Sequence, residues 1–385
     1  MSSRIEPNLL KKLNERRVIE TIQSHGPASR ADVTRIAGMS PPTVSKAVAS
    51  LIEAGLLEEV ESQQPTFGRP GRLLRLASGG VCVIGVVIDV RYCWLGSAGL
   101  DGAVDWDNSL EFPTSRTYDG LIRAIAERAT RLIDDGGAAF GLALSVPGLV
   151  NRRRQETIFS PNLHLTDGRS PAQDLSEKLG IKCVVFQESH ALCLGERFYG
   201  SAKDLDDFAI LDVGTGLGLG VMSGGRLLEG HSGLAGELGH ITVERPGKPC
   251  GCGNSGCLET VATDTAFAQA VSEELGRSVD IDEAIRLIQS GEFTPAESLE
   301  RIRDYLSVAL AAVVNIFNPA TLFVHGQVFD VSDDLFSQVV EMTRTRALGP
   351  SFDDCRFERA RVDKKQAAVA SILFHVTNSL APALG

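Results

Sequence analysis

The sequence predicts a large α/β body preceded by a small helical module that ends in a two-stranded wing. Three observations carry this expectation. The texture of the chain changes near Gly80, from helical periodicity and a Gly/Pro-rich hairpin to short apolar runs separated by glycine turns. Those apolar runs alternate with helical stretches, the pattern of a sheet covered on its faces. Charge divides at the same place: residues 1–80 carry 11 Lys and Arg against 8 Asp and Glu, a net of +3, while the remaining 305 carry 27 against 41, a net of −14.

The bulk composition, 43% hydrophobic and 23% charged, excludes a disordered or fibrous chain. No apolar run approaches the ~20 residues needed to cross a bilayer. The first twenty residues are charged and lack a secretory apolar core, so a cytoplasmic location without membrane insertion is expected. A uniformly acidic protein would repel DNA, but the charge split leaves a basic module free to bind it.

In that module a first helix is expected over about 8–24. Ser29 opens Ser-Arg-Ala-Asp, a capping box for a short helix to about Ala37, and Gly38 supplies the turn. Ser40 caps a third helix with Pro41 at its first position, where a missing N–H costs nothing. Val44, Val48, Leu51 and Ile52 then form one apolar stripe, and Thr43, Ser45 and Lys46 face outward. Gly55 ends the helix, and residues 56–76 read as two short strands around a Gly/Pro-rich tip.

Helix, tight turn and second helix with small polar and basic residues at its start form a helix-turn-helix. Such a second helix fits the major groove and meets base edges with its N-terminal residues, here Ser40, Thr43, Ser45 and Lys46. The wing tip Gly68-Arg69-Pro70-Gly71-Arg72 can place Arg69 in the electronegative minor groove and Arg72 on phosphate. A three-helix protein-interaction module is the alternative; the charge contrast and the arginine-bearing tip favour DNA.

In the body, strands are expected at 81–89, 138–146, 182–186, 208–213 and 321–325, and helices at about 120–134, 190–199, 260–275, 296–317 and 366–380. No internal repeat is visible in the sequence. Five cysteines (Cys82, Cys93, Cys183, Cys193 and Cys355) lie among apolar neighbours, as buried reduced thiols do. The other three crowd into CGCGNSGC. His240, Cys250, Cys252 and Cys257 thus offer one imidazole and three thiolates within eighteen residues, a full tetrahedral zinc complement with no open position. The site reads as structural, clamping the loop between Gly239 and Glu259. A redox or disulfide loop fits a cytosolic chain less well.

Further blocks carry a family resemblance. LSVPGLVN at 144–151, SPNL at 160–163, LGERFYG at 194–200, LDVGTGLGLG at 211–220, AGELGH at 235–240 and CGCGNSGCLET at 250–260 resemble the ROK family of repressors, open reading frames and kinases. The helical module and its GRPGR tip resemble the family's transcriptional regulators. The resemblance implies an actin-like (ribonuclease H-like), two-lobed sugar-kinase fold with ligand in the interlobe cleft. It implies residues 1–79 as a winged helix-turn-helix domain and 80–385 as an effector domain. The effector lobes are expected at about 80–203 and 204–365, with a C-terminal helix at about 366–381. It also implies a homodimer or homotetramer whose paired winged helices reach a palindromic double-stranded operator.

Against the family's kinases, three ATP-handling points depart. The first phosphate loop, of the type DxGGT, is replaced by Asp89-Val90-Arg91-Tyr92, whose side chains obstruct close phosphate approach. The second, Gly214-Thr215-Gly216-Leu217-Gly218, is intact. The catalytic Asn-Asp pair falls on Gln187-Glu188, so Glu188 is a degenerate base position and no catalytic residue is assigned. The adenine-side motif appears as Asn318-Pro319 and then His325-Gly326-Gln327. Sugar-binding positions implied by the resemblance are Asn162, Gln187, Glu188, Glu237, His240 and Glu259, with His240 also a zinc ligand.

The expectation is therefore a sugar-responsive DNA-binding regulator, a repressor of carbohydrate-metabolism genes that binds a sugar or sugar phosphate and has lost phosphoryl transfer. The alternative is an ATP-dependent sugar kinase with an added DNA-binding domain. A third possibility makes the effector domain a docking surface for a sugar-transport protein.

Overall fold

The computed structural model describes residues 7–61, 72–77 and 81–380. They form two compact units between which the chain passes four times. The first unit runs to Ser145, then takes Pro171–Val185 and everything from Lys364 onward; the second takes Val146–Ser170 and Phe186–Asp363.

The first unit opens with helices Pro7–His25, Arg30–Ala37 and Pro41–Glu53. The Ser29 hydroxyl caps the second helix by accepting from Asp32 N at 3.2 Å, and Gly38, at φ +62°, closes it in the left-handed region. Ser40 caps the third, accepting from Thr43 N at 3.4 Å. Val18, Val33, Val44, Val48 and Leu51 make the small core. Ile52 does not join them: it is 36% exposed, because Ala47 and Leu51 already fill the inward face and Ile52 lies on the flank.

The wing pairs Leu57–Glu61 with Arg72–Leu76 antiparallel, Leu57 opposite Leu76 and Glu61 opposite Arg72. Ala28 and Leu74 exchange backbone hydrogen bonds of 3.0 and 2.8 Å, tying the wing to the turn before the second helix. The expected tip contact of Arg69 lies outside the described residues.

Beyond the wing, a five-stranded sheet has the order Leu110–Pro113, Tyr92–Ala98, Val81–Ile88, Ala138–Val146, Cys183–Gln187. Its first three strands are antiparallel neighbours, and Val81–Ile88 runs parallel to Ala138–Val146. The helix Lys364–Leu380 packs on the central strand at Gly85, where a Cβ would come within 2.8 Å of Val369 Cγ2 and 2.9 Å of Val369 N. The same helix meets the first helix of the chain, Gln23 Nε2 donating to Thr377 Oγ1 at 3.2 Å.

The second unit repeats that strand order with different residues: Arg226–Leu227, Leu217–Ser223, Phe208–Val213, Thr321–His325, Arg356–Arg359. Two antiparallel pairings are again followed by a parallel one, and here by a second. Around it lie helices Glu188–Phe198, Asp264–Leu275, Ile281–Gln289, Ala296–Phe317, Leu335–Arg344 and Gly349–Asp354. Phe267, Leu306, Leu310 and Val324 are among the side chains of its core.

Several expectations shift. The helix expected from 260 begins at Asp264, because Thr263 caps it by accepting from Ala266 N at 3.0 Å, and Leu258–Thr260 is a separate 3₁₀ turn. The helix expected from His190 begins at Glu188. That helix packs on strands Phe208–Val213 and Leu217–Ser223 and falls with them in the second unit. The hairpin partner strands Tyr92–Ala98 and Leu217–Ser223 were not anticipated, nor were helices Pro171–Leu179, Ile281–Gln289 and Leu335–Arg344.

Candidate functional site

The cysteine-rich loop folds as the spacing predicts. Gly256 sits at φ +72°, and a Cβ there would meet the Glu244 carbonyl at 2.0 Å, so only glycine allows the turn that brings Cys257 back. Val243 N donates to Gly256 O at 2.7 Å and Cys250 N to Asn254 O at 2.8 Å. The ligand atoms of His240, Cys250, Cys252 and Cys257 lie within 4.8 Å of one another. Cys252 and Cys257 sulfurs are 3.7 Å apart, and His240 Nδ1 is 3.6 Å from Cys250 Sγ. Burial pushes the Cys250 thiol up to about 12, so a divalent cation is what would bring that sulfur to the thiolate form near neutral pH. The donor set and its closure fit a tetrahedral structural zinc.

With Nδ1 on the sulfur side, His240 Nε2 faces Glu237, 3.6 Å from its Oε2. Glu237 Oε1 accepts from Gln187 Nε2 at 3.1 Å. Burial raises the Glu237 carboxyl above its ordinary value, with the Gln187 hydrogen bond and the His240 charge opposing. Glu259 Oε1 lies 3.6 Å from Cys250 Sγ, and its Oε2 accepts from Leu217 N at 3.2 Å. The glycine turn Gly214–Gly216 approaches this carboxylate closely: a Cβ on Gly216 would stand 2.6 Å from Glu259 Oε2 and 3.1 Å from Asn162 Nδ2. Asn162 itself is exposed. Asn162, Gln187, Glu237, His240 and Glu259 are thus joined by short steps within the second unit. Glu188, beside Gln187, is half-buried and has an interaction of its own.

Sequence reasoning missed two partly buried groups in the same unit. Arg152 forms an ion pair with Glu229 and lies 4.2 Å over the Phe186 ring. The run Arg152-Arg153-Arg154 carried the signal, but charge runs ordinarily face solvent. Between the adjacent strands Phe208–Val213 and Thr321–His325, Asp212 Oδ1 and His325 Nδ1 are 2.7 Å apart. Asp264 accepts from Gln327 N at 3.0 Å and Val328 N at 2.8 Å. Burial pushes Asp264 up to about 6 against those two hydrogen bonds, with Asp212 adding to the rise. The His325-Gly326-Gln327 turn is therefore occupied by the protein's own carboxylates. At the first hairpin turn, Val90, Arg91 and Tyr92 are exposed and Asp89 Oδ1 accepts from Val90 N.

In the helix-turn-helix, Ser40, Ser45 and Lys46 are exposed and Thr43 is half-buried, its hydroxyl 2.8 Å from Ser40 Oγ. Arg72 is held by Glu59 at 2.6 Å, and Arg30 pairs with the same carboxylate.

The ROK family model matches residues 84–376. The chain belongs to the ROK family. A second model, of the MarR family, matches residues 12–65, so this ROK protein has a MarR-type winged-helix N-terminus. It is 28% identical over 379 residues to the "DNA-binding transcriptional dual regulator NagC" of Escherichia coli K12, covering 95% of this chain and 93% of that one. It is 26% identical over 328 residues to the "Xylose repressor" of Bacillus subtilis strain 168, covering 84% and 85%. Among solved structures, a ROK family transcriptional regulator described as a homologue of the E. coli MLC protein aligns with a TM-score of 0.83 at 24% identity, over 96% of this chain and 98% of that one. A ROK family glucokinase from Streptomyces griseus aligns with a TM-score of 0.68 at 22% identity, over 75% and 97%. The ROK body is thus an actin-like sugar-kinase fold, preceded by the winged helix. Among the described residues no helix is long and apolar enough to cross a membrane.

Proposed function

We propose that this ROK protein is a sugar-responsive, DNA-binding repressor whose kinase-like body binds a sugar and no longer transfers phosphate. The observation that carries the reading is that one chain joins an exposed helix-turn-helix surface to the group formed by Asn162, Glu237, His240 and Glu259. The relatives named as repressors support it. Ser40, Thr43, Ser45 and Lys46 meet base edges; Arg69 enters the minor groove; Arg72 reaches phosphate by exchanging its partner Glu59.

His240, Cys250, Cys252 and Cys257 hold a structural zinc. Bound there, the cation supplies charge that stabilises the thiolates and fixes the imidazole tautomer. With Nδ1 toward the metal, His240 Nε2–H donates to a sugar hydroxyl or to Glu237. Glu237 and Glu259 accept from sugar hydroxyls, and Asn162 adds an amide at the rim. Phosphoryl transfer is lost at three places: the first hairpin turn has no glycine, Glu188 stands at the base position, and His325 with Asp212 and Asp264 fills the adenine side. A dimer or tetramer presents two winged helices to a palindromic operator, and sugar changes repression only through a difference in affinity between two states.

Mobility shift of an operator fragment across a panel of sugars tests the reading, and binding indifferent to every sugar would defeat the effector claim. ADP release above that of a Glu188→Ala control would restore the kinase reading.

A further inference from the structure

We propose that Gln187, Ser189 and His190, with the Arg152–Glu229 pair, form a polar subsite that takes an uncharged hydrogen-bonding substituent of a neutral monosaccharide. The inference rests on the sugar-binding reading above and narrows it, from sugars or sugar phosphates to neutral sugars.

The starting point is a concentration of unpaired buried polar atoms. Ten buried side-chain nitrogens and oxygens have no hydrogen-bond partner among the described residues, and five of them belong to four residues here: Arg152 Nε, Gln187 Oε1, Ser189 Oγ and both ring nitrogens of His190. Gln187, Ser189 and His190 are 6%, 2% and 1% exposed. Each such atom carries the desolvation cost of a hydrogen bond left unmade. The helix does not need them: Ala191, Leu192, Cys193 and Leu194, the next four residues, are apolar and buried. Polar side chains kept at a cost, in one place, are the mark of a surface meant for a polar ligand.

Position ties the cluster to the candidate sugar site. Gln187 spends its Nε2 on Glu237, leaving its Oε1 as a free acceptor beside a hydroxyl-binding carboxylate. Arg152 stacks over Phe186, the residue preceding Gln187, and its charge is felt at His190.

Charge decides the class of substituent. The Arg152 guanidinium is already paired with Glu229. Burial, and then the Arg152 charge, push His190 down to about 4, so its imidazole is neutral at physiological pH and offers one donor and one acceptor. Glu237 adds negative potential nearby. A phosphate or carboxylate entering this group would find no unpaid cation and a facing carboxylate. A hydroxyl or amide, with donor and acceptor together, matches Gln187 Oε1, Ser189 Oγ and the imidazole.

Calorimetric titration of the full chain with xylose, glucose and N-acetylglucosamine, each beside its phosphorylated or uronic-acid counterpart, tests this. A neutral sugar is expected to bind at least about tenfold more tightly than its charged counterpart. His190→Leu is expected to raise the apparent Tm of the ligand-free protein, since two unpaired nitrogens leave the interior, while weakening that sugar about tenfold or more. His190→Asn, which keeps a donor and an acceptor, should recover part of the affinity. A charged counterpart binding as tightly as the neutral sugar would overturn the proposal and leave the sugar-binding reading standing. Unchanged affinity in a folded His190→Leu protein would also overturn it, assigning the cluster to internal hydration. No binding by any sugar of either class would defeat the sugar-binding reading itself.

Discussion

The two five-stranded sheets share one strand order and have been put to different uses. In the first unit the hairpin after the opening strand turns through Asp89, Val90 and Arg91, and the sheet's central strand is covered at Gly85 by the C-terminal helix that also meets the first helix of the chain. In the second unit the equivalent hairpin turns through Gly214, Thr215 and Gly216, and that bare backbone lies against Glu259 and Asn162. One copy has become the mount for the DNA reader; the other has gathered the cysteines, the carboxylates and the orphaned polar cluster. A duplicated topology therefore does not imply duplicated chemistry, because the fold fixes strand order while the turns decide what can approach.

The largest test of this division is removal of the metal loop. Cys250→Ser is expected to abolish zinc content and lower the thermal transition of the second unit by roughly 10 °C or more, since structural zinc contributes folding energy outright. Scanning calorimetry with metal analysis checks it, and the first unit's transition should stay in place. Zinc retained at full stoichiometry would mean that the four residues do not act together.

A converse substitution addresses the first unit. Gly85→Ala forces the helix Lys364–Leu380 away from the sheet, because the new Cβ would meet Val369 at 2.8 and 2.9 Å. Overpacking of this kind costs about 1–3 kcal/mol. Limited proteolysis should then cut the C-terminal helix faster, and operator affinity should fall while sugar affinity holds.

The hairpin turns supply the next test. Gly216→Ala places a methyl 2.6 Å from Glu259 Oε2, so that carboxylate must swing away, and sugar affinity should fall about tenfold. Val90→Gly at the corresponding turn of the first unit should leave sugar affinity unchanged. Equal losses at both turns, read by titration calorimetry, would end the contrast between the two sheets.

How far the sequence foresaw this follows from which signals are local. Ser29, Gly38 and Ser40 encode caps and a turn within a few residues, so the helix-turn-helix was legible almost to the residue. The cysteine loop was legible because ligand spacing and glycines are themselves the constraint. The strands at 138–146, 208–213 and 321–325 are buried apolar runs and were found at their full length. The hairpin partners Tyr92–Ala98 and Leu217–Ser223 were missed, since Gly96 and the glycines at 218 and 220 read as turns; there they admit Trp94 and helix Glu188–Phe198. The duplicated sheet left no sequence repeat, because strand order is a long-range property that many apolar residues satisfy equally. The Arg152–Glu229 and Asp212–His325 pairings were illegible for the same reason: the partners lie 77 and 113 residues apart.

The smallest expected effect separates the units by the sign of their response to acid. In the first unit Asp32 and Glu59 are held below their ordinary values, by hydrogen bonds from Ser29 and Arg35 and from Arg72 and Arg30 respectively. What they contribute is present above the unfolded values near 3.8 and 4.5 and is lost only as pH falls through their lower folded values. The second unit holds Asp264, raised by burial to about 6 against an unfolded 3.8. The folded form binds that proton more tightly, so acidification from pH 7.5 toward 5 stabilises the unit. His190 acts oppositely: folded near 4 and unfolded at 6.5, it resists protonation that the unfolded chain accepts, so stability is lost as pH falls below 6.5. The two effects offset each other in the wild-type protein between about pH 6 and 5. His190→Leu removes the loss and leaves the gain. Its second-unit transition should therefore climb by roughly 2–4 °C between pH 7.5 and 5, where the wild-type transition stays nearly flat and the first unit's does not move. A flat profile in the variant would show that Asp264 is already relieved of its burial cost by its two backbone donors.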